Sequence, residues 1–241
     1  MLTKFQGLHA WKLFHGISHH STTNLLYKES AALFAKIVRE NLSLGTYTLL
    51  DMGSHKGELL QDLVSELNGY TLHTIAIDLN EEDLMENSAQ RKIKADLGQI
   101  PIEDKSVDID VARYVMAWNS FEKQKEIIKE IARVTKKIAI IQHQGADQTN
   151  PKILQNASKK LFDGTIPSLE RDEFYFSSSD EIEVIFKDLG LKFEKIQSRR
   201  IDNLSDVYIE KYGLIEPEAE MVRVILTDCD YIIQSTWLIK F

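Results

Sequence analysis

The segment Tyr47–Gly57, reading YTLLDMGSHKG, constrains this chain more than any other stretch. A short apolar run that ends in an acid and breaks at a glycine reads as a strand buried on both faces. A half-exposed strand would alternate with polar residues instead. Gly53 and Gly57 then allow a sharp turn and a helix that starts close against the strand. Leu60, Leu63, Val64 and Leu67 give that helix an apolar face, and Asn68 with Gly69 ends it.

The unit repeats. Strands are expected at 71–78, near 92–95, at 107–116 and at 137–143. Between them, Asn80 caps a helix over about 81–90, and Asn119 with Glu122 has capping-box spacing before Phe121, Ile127, Ile128 and Ile131. Strict alternation implies parallel strands joined by right-handed helical crossovers. A helix over about 24–42 precedes the first strand, with Leu26, Leu33, Phe34, Ile37 and Val38 on one face. After the fifth strand the rhythm fails. Residues 144–177 form a long polar stretch with helical character around 151–162, the kind of connection that serves as a lid or insertion. Ser178 and Glu181 then open a helix that Gly190 ends. A strand at 191–199, a helix at 203–212 and a final strand, YIIQSTWLIKF, complete the chain. The last alternates and carries aromatics, as an edge or antiparallel strand would. The predicted class is α/β: a Rossmann-like, doubly wound, seven-stranded sheet, mostly parallel with an antiparallel C-terminal strand, and helices on both faces.

The 241 residues suit a single domain over 1–241, with an N-terminal cap and helix at 1–42 and a lid-like insertion at 144–177. A net charge of −8 disfavours a phosphate-backbone substrate, since that binding comes from Lys and Arg. The single cysteine, Cys229, excludes an internal disulfide. The first residues, MLTKFQGLHAWKLFHG, lack the apolar stretch of a secretory signal, and no uncharged apolar run approaches the roughly 18–20 residues that span a bilayer. A cytoplasmic protein without membrane contact is expected; oligomeric state is not legible.

Four stretches then carry a resemblance. Asp51, Gly53 and Gly57 match an acid-x-Gly-x-Gly-x-Gly loop in which His55 replaces the middle glycine. The second strand ends in Asp78, followed by Leu79. Ala95, Asp96 and Leu97 precede Ile100-Pro101 and then Asp104 to Asp108, similar to an LP-x-x-D-x-S-F-D run. Ala112 to Met116 leave the fourth strand. Together they resemble the class I S-adenosylmethionine-dependent methyltransferases, specifically the methyltransferase type 11-like small-molecule branch, over roughly 24–200 and the last strand. The resemblance implies S-adenosyl-L-methionine as cofactor. It implies contacts from Asp51, Gly53 and Gly57 in the loop, ribose hydroxyls on Asp78 beside Leu79, and adenine on Asp96 and Leu97. It places the methionine end at Ala112 and Arg113.

For the acceptor side, Tyr114, Trp118 and His20 are candidate pocket residues. His143, at the exit of the fifth strand, is the candidate general base should the acceptor have to lose a proton. His15 and His19 have the i, i+4 spacing of a metal pair, but no nearby acid or thiol completes a site, so no metal is expected. A nicotinamide-dependent oxidoreductase would want Gly-x-Gly-x-x-Gly, which this loop does not have, and no Gly-Lys-Ser/Thr marks a P-loop. The alternatives kept are a non-catalytic cofactor-binding protein of the same fold and a nucleotide-dependent oxidoreductase of Rossmann type. The expected reaction is methyl transfer to a small-molecule acceptor by in-line displacement.

Overall fold

Strand β1 (Thr46–Met52) lies between β2 (Thr71–Asp78) and β4 (Val107–Arg113) and runs parallel to both. The computed structural model that places them describes residues 21–145, 151–162, 175–212, 214–216, 218–229 and 231–241. With β3 (Arg91–Lys94), β5 (Thr135–Gly145), β6 (Lys192–Asp202) and β7 (Tyr231–Lys240), the strands form one seven-stranded sheet in the order β3-β2-β1-β4-β5-β7-β6. Only β7 runs against its neighbours, pairing antiparallel with β5 and β6. The order reverses between β1 and β4, so a crevice opens at their carboxyl ends.

Alternate residues of each strand serve opposite faces. Leu49, Ile109, Val111, Ile140 and Leu238 pack under α1 (Ser21–Asn41), α2 (Glu58–Glu66) and Leu84 of α3 (Glu81–Glu86). Leu50, Met52, Ala112, Ile141 and Trp237 pack under α4 (Phe121–Val134) and α6 (Ser179–Asp188). A third apolar cluster stands beyond the strand ends. It joins Leu154 and Ala157 of α5 (Pro151–Phe162) to Phe176, to Leu204 of α7 (Leu204–Tyr212), to Val222 and Leu226 of α8 (Glu218–Leu226), and to Cys229.

The structure corrects several expectations. The fourth strand stops at Arg113, not 116, because Tyr114 takes a left-handed φ of 58° that ends pairing. Helix α3 ends at Glu86, where Asn87 turns extended and accepts the Ala89 amide. The cap of α4 is Ser120, whose hydroxyl accepts the Lys123 amide; Asn119 is extended and lies outside the helix. The final strand is antiparallel, as expected, but not at an edge. It sits inside the sheet with eight consecutive buried residues. Helix α8 was not anticipated. The Ser178–Glu181 capping box forms as expected. The lid-like segment falls partly outside the described residues, as does the cap over 1–20; its described parts, α5 and Phe176, belong to the third cluster.

Candidate functional site

The loop after β1 is held open from outside by α3. His55 adopts φ 46°, the backbone region a glycine would supply, and its amide donates to Asp78 Oδ2 at 2.9 Å. Its ring lies 3.3 Å from Asp83 Oδ2 and 3.7 Å from Glu58 Oε2. Burial disfavours the imidazolium, but these carboxylates outweigh it and raise the His55 pKa. Lys56 pairs with Glu86 at 2.9 Å, and Asn87 donates to the His55 carbonyl at 3.1 Å. Gly57 opens α2 at φ 86°, where a Cβ would stand 2.7 Å from the Asn87 side chain. Gly53 is left-handed too (φ 69°), and a Cβ there would meet Val115 at 2.6 Å.

Gly53, Asp78, Leu79, Asp96, Leu97, Asn119 and Lys123 line one cavity beside this loop. Asp78 accepts backbone amides on both oxygens, from His55 and from Asn80 at 2.9 Å. A carboxylate has about four acceptor sites, so two remain for a ligand. Asp96 Oδ1 accepts the Gly98 amide at 2.7 Å and pairs with Lys123 Nζ at 2.6 Å. Partial burial pushes the Asp96 pKa up, but Lys123 and the Gly98 amide hold it below the usual carboxylate range.

Toward β4 the character changes. Asp51 is buried at 2% exposure, and its Oδ2 has no hydrogen-bond partner among the described residues. Burial pushes its carboxyl up to about 7; Asp78 and Glu58 add to the rise, and Arg113 opposes it. The Arg113 guanidinium lies between the rings of Tyr27 and Tyr114, 4.3 and 3.9 Å from their centroids, and its Nε donates to Ser30 Oγ at 3.0 Å. Ser30 donates in turn to Gln142, and Gln142 to Thr236. The Tyr114 hydroxyl accepts from Gln234, which accepts from Arg199, which pairs with Glu29 of α1 at 2.8 Å.

Five of the sequence-predicted residues therefore share one cavity, and Gly57 stands at the start of α2 after the same loop. Asp51 and Arg113 carry the polar ends of β1 and β4, and Ala112 is buried on the α4 side. Trp118 turns away toward the third cluster and meets Phe176 edge-on at 6.4 Å between ring centroids. His143 is fully buried, and its Nε2 donates to the Ser177 carbonyl at 2.8 Å. His20, His15 and His19 lie outside the described residues. Among the described residues, no group of three or more His, Cys, Asp or Glu could hold a metal ion, and no helix is long and apolar enough to cross a membrane.

Sequence reading missed Tyr27, Ser30, Gln142, Gln234 and Arg199. Period 2 held the signal. Asp51, Arg113, Gln142 and Thr236 stand two positions from Leu49, Val111, Ile140 and Leu238, so the face that is apolar in mid-sheet turns polar where it meets Ser30.

Residues 50–141 match the family model described as Methyltransferase domain. The chain carries a methyltransferase domain. Over these residues it is similar to the class I S-adenosylmethionine-dependent methyltransferases, whose cofactor is S-adenosylmethionine. The residues present fit that group: glycines keep the loop free of side chains, Asp78 retains acceptor sites, and Asp51 has an orphaned oxygen. The methyltransferase fold recurs in solved structures. YcgJ from Bacillus subtilis aligns at TM-score 0.66 and 18% identity, covering 88% of this chain and 98% of that one. The plantazolicin methyltransferase BpumL, solved with S-adenosylhomocysteine, aligns at 0.55 and 16%, covering 97% and 94%. The geranyl diphosphate C-methyltransferase from Streptomyces coelicolor A3(2) aligns at 0.57 and 12%, covering 87% and 80%. No curated protein matches the sequence.

Proposed function

We propose that this methyltransferase acts on a small-molecule acceptor enclosed between the polar strand ends and the cap formed by α5, α7 and α8. The observation that carries the reading is the third apolar cluster. It lies over the carboxyl ends of β5 and β6 and the amino end of β7, and Ala117 and Trp118 bring it down to the exit of β4. A roof at that edge excludes water and limits what can enter. The names of BpumL and the geranyl diphosphate enzyme record discrete organic acceptors on the same fold. The net charge of −8 argues in the same direction, against a nucleic-acid acceptor.

In this reading Asp78 and Leu79 take the ribose, and Asp96 and Leu97 the adenine. Gly53 and Gly57 keep the loop clear, and Asp51, Ala112 and Arg113 face the methionine end. The bound cofactor supplies a methyl group already activated by its sulfonium. The protein's part is to align the acceptor, which accounts for several kcal/mol in reactions of this kind. Tyr114 borders the acceptor; its left-handed φ is costly for a bulky residue and is expected where function over-determines the backbone. His143 we assign to bracing residues 175–178 beneath the cap, not to proton transfer. The chain acts as one domain.

A crystal structure with S-adenosylhomocysteine tests this. A closed cavity of metabolite size beside the sulfur, walled by Tyr114 and Trp118, supports the proposal. A through-going groove able to admit a polymer overturns it.

A further inference from the structure

The Tyr114 hydroxyl is fixed from several directions, yet its proton has no taker. Its oxygen accepts from the Gln234 amide, and the O–H itself meets no acceptor among the described residues. The Arg113 guanidinium covers the ring, 3.9 Å from its centroid. The backbone is left-handed at φ 58°, and the Tyr114 amide is pinned to the Gln142 carbonyl at 2.8 Å. The clamp continues outward, because Arg199 donates to Gln234 Oε1 and pairs with Glu29 of α1 at 2.8 Å.

Such a chain has a direction. A guanidinium donates to the amide oxygen, the amide nitrogen donates to the phenol oxygen, and each bond strengthens the next. The cation on the ring face draws density away from the same hydroxyl. Tyr114 is therefore built to donate. A cationic head group is disfavoured there by the guanidinium stacked on the ring.

Strands β6 and β7 decide what stands beside this donor. Gln234 pairs with Arg199 across the two strands, and Ile232 pairs with Ile201 two residues further along, on the same face. Ile232 and Ile201 belong to the third apolar cluster, as does Trp118. Polar side chains thus give way to apolar ones within about 7 Å along the strands. We propose that the methyl acceptor is an amphipathic small molecule. Its carbonyl or carboxylate oxygen takes the Tyr114 O–H, and its apolar part lies along the third cluster. This rests on the reading of the site as a small-molecule pocket and names the chemical class that pocket selects. Tyr114 determines specificity by touching the acceptor, and Gln234 and Arg199 are positioning residues that act through it.

The test measures fragment binding to the full chain saturated with S-adenosylhomocysteine, by ligand-observed magnetic resonance. The probes are toluene, acetophenone and benzoate, which share a ring and differ in the oxygen. Acetophenone and benzoate should each bind about fivefold tighter than toluene, as one hydrogen bond to a fixed donor provides. Tyr114→Phe keeps the ring on Arg113 and should bring both ratios to about one. Gln234→Glu keeps the size of the side chain and a partner for Arg199, but its carboxylate captures the Tyr114 proton; it should abolish the preference as well, which a merely structural role for Gln234 would not do. Partial unfolding weakens all three probes together and leaves the ratios unchanged. Equal binding of the three to the wild-type complex, or a preference that survives Tyr114→Phe, overturns the proposal and leaves the small-molecule reading standing. Binding of none of the three overturns both.

Discussion

The backbone amide of His55 donates to the Asp78 carboxylate across 2.9 Å, so the loop that follows β1 and the acid that ends β2 hold each other in place. Because Asn80 occupies the other oxygen, the carboxylate plane is fixed before any ligand arrives. Such preorganisation reduces the ordering cost of binding.

Asp78→Ala should therefore weaken S-adenosylhomocysteine binding by about 1–3 kcal/mol, since it removes a charged acceptor and releases the loop together. Calorimetry measures this directly. Wild-type affinity in the variant would mean that Asp78 serves the loop and helix α3 alone.

Asp96→Ala should cost less than Asp78→Ala. Its carboxylate is half exposed and already shares its charge with Lys123 at 2.6 Å, and such exposed pairs contribute only about 0–1 kcal/mol. The ranking of the two variants, read in one titration series, is the result to check. The reverse order would place the adenine elsewhere.

Cofactor affinity should rise with pH between 6 and 8. Asp51 titrates near 7 in the folded protein and must be ionised to accept an ammonium. A single group at that value implies about a tenfold gain over the interval. Asp51→Asn should flatten the profile. A flat profile in the wild-type protein would show that Asp51 is ionised before binding or takes no part in it.

Stability should show the opposite trend. Asp110 is buried at 1% exposure, with one oxygen unpartnered and the other 3.4 Å from the Thr135 hydroxyl. Burial raises its pKa well above that of a free carboxyl, with Asp51 adding to the rise and Thr135 opposing it. An acid with a raised folded pKa contributes stability that is present below its unfolded value, near 4, and lost as pH rises through the folded one. Asp51 has the same sign over about 4 to 7. The melting temperature should fall from pH 5 to pH 8. Asp110→Asn should raise it at pH 8, through a stabilisation of about 1–3 kcal/mol, and do little near pH 4. Thermal scans at the two pH values decide this; an equal effect at both would show that Asp110 does not titrate on folding.

The parallel half of the sheet was legible because its strands are buried on both faces and end in glycine or acid. Tyr47–Gly57 and 71–78 therefore announce themselves. The antiparallel half was less so. The eight buried residues of β7 include Gln234, Ser235 and Thr236, and alternation with polar residues fits an edge strand as well as an interior antiparallel one. Their burial depends on partners 35 to over 100 residues away, Arg199, Tyr114 and Gln142, which no local pattern reveals. Arg113 was found by its position after the fourth strand. Its orientation, set by Tyr27 and Ser30 on a helix that begins 25 residues before β1, was not legible.

Asp202 ends β6 directly across from Tyr231, which begins β7, so the intervening helices α7 and α8 leave the sheet and return to it at one point. The consequence is modular. Closing a chain across that point costs little more for a long excursion than for a short one, and register along β6 and β7 is fixed without it. The α7–α8 part of the proposed roof can thus be exchanged, shortened or borrowed from another protein while the cofactor half stays intact, which makes this point the natural graft site for altering the proposed acceptor pocket.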